Sequence, residues 1–312
     1  MNILIAGIGS IGRKHADAIR SVVPDATIYG LRSSRSADHI DGITDIYSID
    51  GLHDTKLDFA IISTPTALHA TTVNSLLPLK CPLLIEKPLA HNLTDAKAIA
   101  TAIDASGVTA YIGCNLRFLG CIRFIKNNLA RPGHSINEVN AYCGSYLPDW
   151  RKGVDFRKVY SSRPELGGGV HIDLIHELDY LYWMFGKPDH TTRTIRNRSS
   201  LGIEAPDYAN YCMHYKQFCA SVVLNYYRRD PRRTLEIVWD DDTWIADLRN
   251  NSVTSALTGC TLFNSDDDIP VTMADQIRYM VELSKSPSGK SANTCNDALE
   301  VLKICLNNET DQ

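Results

Sequence analysis

A glycine-rich turn close to the start of the chain limits the possible folds more than any other feature. The apolar run Asn2–Ala6 leads into Gly7-Ile8-Gly9-Ser10-Ile11-Gly12, and a helix-like stretch follows from Arg13 to Val22. Glycines at this spacing allow a tight turn and let a phosphate approach the backbone at a helix N-terminus. The pattern predicts that a dinucleotide pyrophosphate binds here, on Gly7, Gly9, Ser10, Ile11 and Gly12.

The first third of the chain alternates between strand-like and helix-like segments. This alternation predicts an α/β fold with an N-terminal Rossmann domain, which is a doubly wound parallel sheet with helices on both faces. Helices are expected at Thr66–Leu77 and at Thr94–Ala105, with Thr94 as N-cap and Gly107 beyond the end. Strands are expected at Asn2–Ala6, Thr27–Leu31, Asp58–Ser63, Leu83–Glu86 and Thr109–Gly113, with a weak one near Ile46–Ile49.

The pattern changes after Asn115. Successive period-2 stretches without intervening helices predict a C-terminal α+β domain with a mostly antiparallel sheet. We therefore expect a dinucleotide-binding domain over residues 1–115 and a substrate-binding and oligomerisation domain over residues 116–312. The expected strands are Asn137–Tyr146, Asp207–Tyr215, Cys219–Tyr227, Thr234–Trp239 and Thr243–Leu248, and the expected helical regions are Gly120–Leu129, Gly167–Phe185 and Asn296–Leu306.

Composition and charge argue against several classes of partner. The 312 residues include 32 Lys and Arg against 36 Asp and Glu, and a net charge of −4 is too small to predict a nucleic acid or an anionic membrane as partner. No apolar stretch approaches the ~20 residues that span a bilayer. The nine cysteines are scattered and contain no C-x-x-C, which favours reduced thiols in a cytoplasmic protein over a disulfide framework or a zinc site.

The strands of the second domain carry apolar residues at both alternating sets of positions. Tyr211, Met213 and Tyr215 alternate with Cys212 and His214. An antiparallel sheet can leave one face bare, but this pattern favours cover on both faces. We therefore expect a homodimer or homotetramer in which another subunit covers one face.

Lys87 follows the apolar run Leu83–Glu86, which reads as a buried parallel strand ended by Pro88. Ligands of open α/β sheets bind at the carboxyl ends of such strands, so Lys87 is expected at the ligand-binding edge. A solvated charge pair at a strand end is the alternative, with equal weight on local grounds.

A second strand end contributes Ser63, Thr64 and Pro65, followed by His69. These residues are candidates to border the cofactor. An N-cap with a proline in the first helical turn explains the same residues equally well.

The segment Gly167–Asp179 is the richest in groups for acid–base chemistry. In one continuous helix, Asp173 and Asp179 would each lie one turn from His176, and a carboxylate beside an imidazole makes a general base. A core histidine with a carboxylate partner has equal support. A metal site is not expected, because His171 and His176 lie on different helical faces and H-E-x-x-H is absent.

The loop Tyr146–Leu166 is dense in Arg, Tyr and Trp, and loops of this kind often line binding sites. Trp150, Arg151 and Tyr160 are the candidate substrate-binding residues from this loop. An exposed basic loop without a ligand is the alternative.

These motifs, taken in order, resemble the Gfo/Idh/MocA oxidoreductase family, of the glucose–fructose oxidoreductase and inositol dehydrogenase type. The resemblance runs from Met1 to about Gly186. It rests on the glycine turn, Thr64-Pro65 with His69, Glu86-Lys87-Pro88, Asn115-Leu116-Arg117-Phe118, Trp150-Arg151, Gly167-Gly168-Gly169, and His176 with Asp179.

The resemblance implies NAD(P)-dependent oxidation or reduction of a sugar, polyol or nucleotide-sugar carbon. It implies that Lys87 binds a substrate hydroxyl and the cofactor ribose beside Glu86, and that His176 is the acid/base. It also implies that Asn115 lies close to the nicotinamide and Arg117 close to the substrate. Family members often carry Asp four residues before the histidine, whereas Asp173 is three before His176, so a catalytic Asp173 departs from the pattern.

The end of the second strand bears on the choice of cofactor. An acidic residue there would bind the 2′-hydroxyl of NAD, but the segment reads Arg32-Ser33-Ser34-Arg35. Arg32, Ser33 and Arg35 suit a 2′-phosphate, so NADP(H) is expected over NAD(H) and no metal is expected.

Two other functions remain open. One is a non-catalytic protein of the same fold that senses a dinucleotide or a sugar, since a fold does not fix a function. The presence of both Lys87 and His176 speaks against it. The other is a reductase of a different carbonyl, imine or dihydrodiol substrate. The Arg-rich loop argues against this function because it favours a polar ligand.

Overall fold

Strands and helices alternate through the first third of the chain, as the sequence predicts. A computed structural model of the protein describes residues 1–35, 39–52, 55–267, 269–286 and 290–306. Six parallel strands form one sheet in the order β3-β2-β1-β4-β5-β6. The strands are β1 (Asn2–Ala6), β2 (Thr27–Leu31), β3 (Thr44–Ile46), β4 (Phe59–Ile62), β5 (Leu83–Glu86) and β6 (Ala110–Gly113).

The α-helices of the described residues follow the predicted positions in most of the chain. None of them is long and apolar enough to cross a membrane. They are α1 (Ser10–Val22), α2 (His69–Leu76), α3 (Leu93–Ser106), α4 (Gly120–Asn127), α5 (Val170–Asp173), α6 (His176–Phe185), α7 (Ile269–Lys285) and α8 (Cys295–Leu306).

Helix α3 shows how local chemistry fixes an element. Asn92, rather than the expected Thr94, is the N-cap, and its side chain accepts a hydrogen bond from the Asp95 amide at 2.8 Å. Asparagine caps as well as threonine or better, so the helix begins one residue earlier than predicted. Gly107 follows the helix with φ +68°, which a residue without Cβ adopts at little cost.

The chain divides into two units, one formed by Met1–Asn115 with Pro270–Gln312 and the other by Leu116–Ile269. The sequence analysis assigned residues 116–312 to the second domain, so the segment after Pro270 is a correction. Asn293 explains it: its side chain donates to the Ile112 carbonyl at 2.9 Å, and its own carbonyl accepts from the Ile112 amide at 3.0 Å. Helix α8 then packs on α3 and β6.

The second unit is built on an eight-stranded sheet in the order β14-β13-β12-β11-β7-β10-β9-β8. Its neighbouring strands are antiparallel except for β7 and β10, which confirms the expected mostly antiparallel sheet. The strands are β7 (Ile136–Tyr146), β8 (His190–Arg196), β9 (Tyr208–His214), β10 (Cys219–Asn225), β11 (Tyr227–Trp239), β12 (Thr243–Asp247), β13 (Ser252–Ser255) and β14 (Thr261–Asn264).

Four elements were not predicted. Strands β8 and β14 contain no fully buried residue, and Ile195 is the single aliphatic residue of β8, so neither strand shows an alternating apolar pattern in the sequence. The four-residue strand β13 and helix α7 also escaped prediction. Strand β11 begins at Tyr227, seven residues before the predicted start, and includes Pro231.

One face of the second sheet is buried and the other is partly exposed. Tyr211, Met213 and Val222 are fully buried, whereas the alternate residues Cys212 and His214 are half-buried. We call the partly exposed side the open face. Side chains alternate between faces along each strand, so the period-2 pattern of the sequence is the pattern of this burial.

A buried ion pair ties α6 to the sheet. Arg233 of β11 donates to both carboxylate oxygens of Glu177, at 2.6 and 3.0 Å, and Glu177 is 0% exposed. Burial alone would lower the pKa of Arg233, but the Glu177 carboxylate outweighs it and raises that pKa above its ordinary value. Glu177 has no solvent contact to replace its partner, whereas the Arg233 side chain is 15% exposed.

We expect Arg233→Met to lower the free energy of unfolding of the second unit by roughly 3–5 kcal/mol, because Glu177 is left charged and buried. The four tryptophans, Trp150, Trp183, Trp239 and Trp244, all lie in this unit, so urea unfolding followed by tryptophan fluorescence reports on it alone. Replacing both charges in Glu177→Leu/Arg233→Met should cost less than the single change.

The control is Arg163→Met, which breaks an ion pair with Glu165 in which both side chains are about half exposed. Its unfolding midpoint should stay close to that of the wild type, because exposed pairs contribute little. A double variant as unstable as Arg233→Met would contradict this account of the pair.

Candidate functional site

The glycine turn is packed so tightly that two of its glycines cannot be replaced. Gly7 has φ +93°, and a Cβ there would lie 2.8 Å from the Thr64 amide nitrogen. A Cβ on Gly12 would lie 2.2 Å from the Gly7 carbonyl oxygen. The Ser63 hydroxyl donates to the same Gly7 carbonyl at 2.7 Å. The turn after β1 is therefore held directly against the end of β4.

Gly9 differs from its two neighbours in the turn. It precedes α1 with φ −83° and ψ −161°, a conformation open to any residue, and a Cβ there would meet no atom within 4 Å. Helix α1 has no side-chain cap and no acidic residue in its first turn. The first amides of a helix have no intrahelical acceptor, so those of α1 are available to an anion. These residues fit a pyrophosphate.

The loop after β4 begins with Ser63, Thr64 and Pro65. It leaves the carboxyl end of its strand, as the glycine turn leaves the carboxyl end of β1. His69, expected beside the cofactor, is 1% exposed. Its Nε2 lies 3.1 Å from the Thr64 carbonyl and its Nδ1 lies 3.2 Å from the Leu89 carbonyl. Burial lowers the pKa of His69 and outweighs the contacts with the backbone carbonyls, which raise it. His69 thus links the loop after β4 to the loop after β5.

Glu86 and Lys87 stand at the end of β5. His15 of α1, which the sequence analysis did not single out, lies with its Nε2 2.6 Å from Oε1 of Glu86, and the Lys87 amide donates to Oε2 at 3.2 Å. Burial would raise the pKa of Glu86, but the hydrogen bond and charge of His15, with the charge of Lys87, hold it below its ordinary value. Glu86 is therefore a buried carboxylate that anchors the residue before Lys87.

Lys87 itself is half-buried and precedes a cis peptide bond to Pro88. Strands β1, β4 and β5 are neighbours and parallel, so the glycine turn, Ser63–Pro65 and Lys87 all follow carboxyl ends of adjacent strands. The first unit therefore brings these predicted residues to one edge, which we call the carboxyl edge.

Arg32 has a carboxylate partner that the sequence did not reveal. Asp45 of β3 pairs in register with Gly30, and Arg32 Nε donates to Oδ1 of Asp45. Burial would raise the pKa of Asp45, but the bonds from Arg32 and His39 outweigh it and lower that pKa. The acid missing from the end of β2 is thus supplied by the neighbouring strand, and it neutralises the Arg32 charge.

Ser33 and Arg35 are exposed beyond the end of β2. The Arg35 guanidinium lies over the Tyr47 ring, 4.5 Å from its centroid. Stacking of this kind orients the donors of a guanidinium.

Asn115, at the end of the first unit's initial segment, donates from its side chain to the Thr272 hydroxyl at 2.7 Å. Its amide is therefore oriented by the segment that begins at Pro270. This contact joins residues 157 positions apart, and no local pattern predicts it.

In the second unit, the helix expected across Gly167–Phe185 is interrupted. Helix α5 ends at Asp173, Leu174 has φ −102° and ψ +30°, and α6 begins at His176. Asp173 and His176 thus belong to different helices, so the one-turn spacing argued from a continuous helix is wrong. His176 is half-buried at the first position of α6.

Asp179 is bound to Arg117. Arg117 donates from Nε and Nη2 to the two oxygens of Asp179 at 2.8 and 2.7 Å, and the residues are 6% and 2% exposed. The guanidinium also lies 5.5 Å from the Trp183 ring centroid. Arg117, expected close to the substrate, is instead buried in an ion pair that holds α6.

Tyr226 is a site residue that sequence analysis missed. It is 0% exposed and donates to Oδ2 of Asp173 at 2.5 Å. Trp150 packs edge-on against its ring with centroids 5.3 Å apart, and Trp150 is 41% exposed. Burial, with the Asp173 charge, raises the pKa of Tyr226 well above its ordinary value, so the phenol stays protonated. The sequence gives no signal of this contact, because Asp173 lies 53 positions before Tyr226 and Tyr226 reads only as a residue of a strand.

The remaining loop candidates differ in exposure. Arg151 is exposed, whereas Tyr160 is half-buried and its hydroxyl donates to the Gly167 carbonyl at 2.8 Å. Tyr160 therefore ties the loop to the glycines before α5.

Comparison with known proteins agrees with both units. Residues 1–114 match the GFO_IDH_MocA description "Oxidoreductase family, NAD-binding Rossmann fold", and residues 134–258 match "Oxidoreductase family, C-terminal alpha/beta domain". The uncharacterized oxidoreductase YrbE of Bacillus subtilis is 31% identical over 121 residues, 36% of this chain and 35% of that protein.

Two further similarities extend over more of the chain. Glucose-6-phosphate 3-dehydrogenase of Bacillus subtilis is 24% identical over 215 residues, which are 65% of this chain and 59% of that protein. The solved structure of UDP-N-acetylglucosamine 3-dehydrogenase GnnA from Acidithiobacillus ferrooxidans matches with a TM-score of 0.78 at 18% identity, over 98% of this chain and 95% of that one. At that identity the structural match shows the fold.

The glycine turn, the carboxyl edge and the two matched domains lead to one conclusion. The chain belongs to the Gfo/Idh/MocA family of oxidoreductases, with an NAD(P)-binding Rossmann domain and the family's C-terminal α/β domain.

Proposed function

We propose that this protein transfers a hydride between a nicotinamide dinucleotide and a carbinol or keto carbon of a sugar, polyol or nucleotide sugar. The observation that carries the proposal is the position of Lys87, directly after β5 on the same carboxyl edge as the open N-terminus of α1. The similarity to glucose-6-phosphate 3-dehydrogenase supports the substrate class.

In this proposal the first-turn amides of α1, from Ser10 onward, hold the pyrophosphate, with Gly9 giving it room. A nicotinamide dinucleotide held there would supply the hydride chemistry. Ser63, Thr64 and Pro65 border the dinucleotide, and His69 acts indirectly by holding the loops after β4 and β5.

Lys87 stabilises the negative charge that develops on the reacting oxygen, and His176 exchanges the hydroxyl proton. Reduction of the keto carbon uses the same two groups as acids. The anchored carboxylate of Glu86 fixes the backbone before Lys87 through the hydrogen bond that it accepts from the Lys87 amide.

Three other residues act through their neighbours. Arg117 positions α6, and hence His176, through its ion pair with Asp179. Asp173 holds the end of α5 through Tyr226, which gives it a positioning role in place of a catalytic one. Trp150, with Arg151 and Tyr160 from the same loop, contributes to substrate binding.

The cofactor is proposed to be NADP(H). Since Asp45 neutralises Arg32, the 2′-phosphate is bound by Arg35 and Ser33 instead.

The protein is proposed to form a homodimer or homotetramer in which a second copy covers the open face of the second sheet. On that face, half-buried apolar and polar residues alternate with the buried set.

The first test is a screen of sugars, sugar phosphates and nucleotide sugars, followed through the absorbance of the reduced nicotinamide. With the best substrate, Lys87→Ala should lower kcat by about 10²–10⁴-fold, the range typical of a lost acid–base or electrostatic contact. NADPH binding should remain within a few-fold of the wild type.

Lys97→Ala is the matched control, because Lys97 is an exposed lysine of the same unit. Its turnover should be unchanged. Unchanged turnover in Lys87→Ala would remove that residue from the mechanism. Tight NADPH binding without turnover of any tested substrate would favour the sensing protein.

The choice of cofactor gives a second prediction. Arg35→Ala should raise KM for NADP by about tenfold or more, as expected when a charge-assisted phosphate contact worth ~1.5–3 kcal/mol is lost, and leave KM for NAD almost unchanged. Steady-state kinetics with both cofactors measure this. An equal change for the two, or a wild-type enzyme with higher kcat/KM for NAD, would contradict the assignment.

A further inference from the structure

Two cysteines and a histidine meet on the hairpin formed by β9 and β10. A ligand atom from each of Cys212, His214 and Cys219 lies within 4.8 Å of those of the other two. The Cys219 Sγ is 3.4 Å from His214 Nδ1. Cys219 pairs in register with His214, and Cys212 is two residues before His214, so all three lie on the open face.

We propose that Cys212, His214 and Cys219 bind one zinc-type divalent cation. Two thiolates and an imidazole are the donor set that Zn²⁺ prefers. Ligands of tetrahedral zinc, at about 2.0–2.3 Å from the metal, are roughly 3.3–3.8 Å apart. The distance of 3.4 Å between Cys219 Sγ and His214 Nδ1 already lies in this range, and the other two pairs of ligand atoms lie within 4.8 Å. Each thiol releases its proton to solvent as the metal binds.

The surroundings of the cluster agree with such a site. In the single chain Cys219 is exposed and Cys212 and His214 are half-buried. The fourth position is therefore open to water or to a group of the second copy that is proposed to cover this face. The His190 ring stacks flat on the His214 ring, with centroids 4.0 Å apart and planes 8° apart. This stack restricts rotation of the His214 ring and so favours one orientation of its nitrogens.

A disulfide between Cys212 and Cys219 is the main alternative to a metal site, and the strand register argues against it. Cys212 pairs with Ser221 while Cys219 pairs with His214, so the cysteines are diagonal neighbours. Diagonal residues of an antiparallel pair are about 7–8 Å apart, beyond the ~4.4–6.8 Å between Cα atoms in disulfides. A metal bridges that separation without moving the backbone.

No metal was expected from the sequence, because it contains neither a C-x-x-C nor an H-E-x-x-H spacing. Here the ligands are separated by one and four residues, and a turn at residues 215–218 folds the second strand back onto the first. The site is independent of the hydride-transfer proposal. Its metal would join β9 to β10 and stabilise the second unit, because binding to the folded state alone shifts the unfolding equilibrium.

The test is a titration of the reduced, chelator-treated protein with Co²⁺, followed by the thiolate-to-cobalt charge-transfer band. We expect saturation at one equivalent per chain, displacement by Zn²⁺, and a higher thermal midpoint of tryptophan fluorescence with metal. The variant Cys212→Ser/Cys219→Ser should lose the band. His214→Ala removes a direct ligand and should weaken Co²⁺ binding by more than the about tenfold loss that damage to partners outside the ligand set alone can cause.

Cys260→Ser is the matched control, because Cys260 is an exposed thiol of the same unit outside the cluster. It should bind Co²⁺ as the wild type does. The three ligand positions lie on the open face, so circular dichroism should show each variant folded. No band in the reduced wild type, or a band retained in the double serine variant, would overturn the proposal. The second cluster of ligand-type residues, His134 with Asp240 and Asp241, contains no thiol and cannot produce this band.

Discussion

The contact between the first turn of α1 and the ends of β1 and β4 is the constraint on which the first unit depends. A single methyl group on Gly12 would lie 2.2 Å from the Gly7 carbonyl, so no other residue lets the helix start there. This closeness directs the unpaired amides of α1 to the carboxyl edge, where β5 also delivers Lys87. The steric requirement therefore positions the anion site, and the parallel order of β1, β4 and β5 brings Lys87 to the same edge.

The charged groups of the candidate site are held by partners that are distant in sequence. Glu86 is fixed by His15 over 71 positions, Asp179 by Arg117 over 62, and Asp173 by Tyr226 over 53. Burial makes each carboxylate costly unless it is paired, so each pair fixes the geometry of its neighbours. Lys87 and His176, the proposed chemical groups, each stand next to such an anchored residue.

Local patterns predicted much of the fold, and they predicted that the glycine turn, Ser63–Pro65 and Lys87 follow strand ends at one edge of the first sheet. The glycine turn, the apolar strands and the alternating strands of the second sheet follow from steric limits and burial that act within a few residues. The break between α5 and α6 did not follow, because Ile172 and Ile175 continue an apolar helical pattern while Asp173 bonds to Tyr226. Arg32 looked like a free phosphate ligand because its partner, Asp45, lies on a neighbouring strand and no local pattern reveals the contact.

The measurement that tests the central claim most directly is NADPH affinity in Gly9→Val. No atom lies within 4 Å of a Cβ at Gly9 and its φ of −83° suits valine, so the thermal midpoint should match the wild type. The side chain would occupy the space given to the pyrophosphate, and NADPH should bind at least about tenfold more weakly, a loss of ~1.4 kcal/mol. Unchanged affinity in a folded Gly9→Val protein would show that the dinucleotide does not bind on the N-terminus of α1.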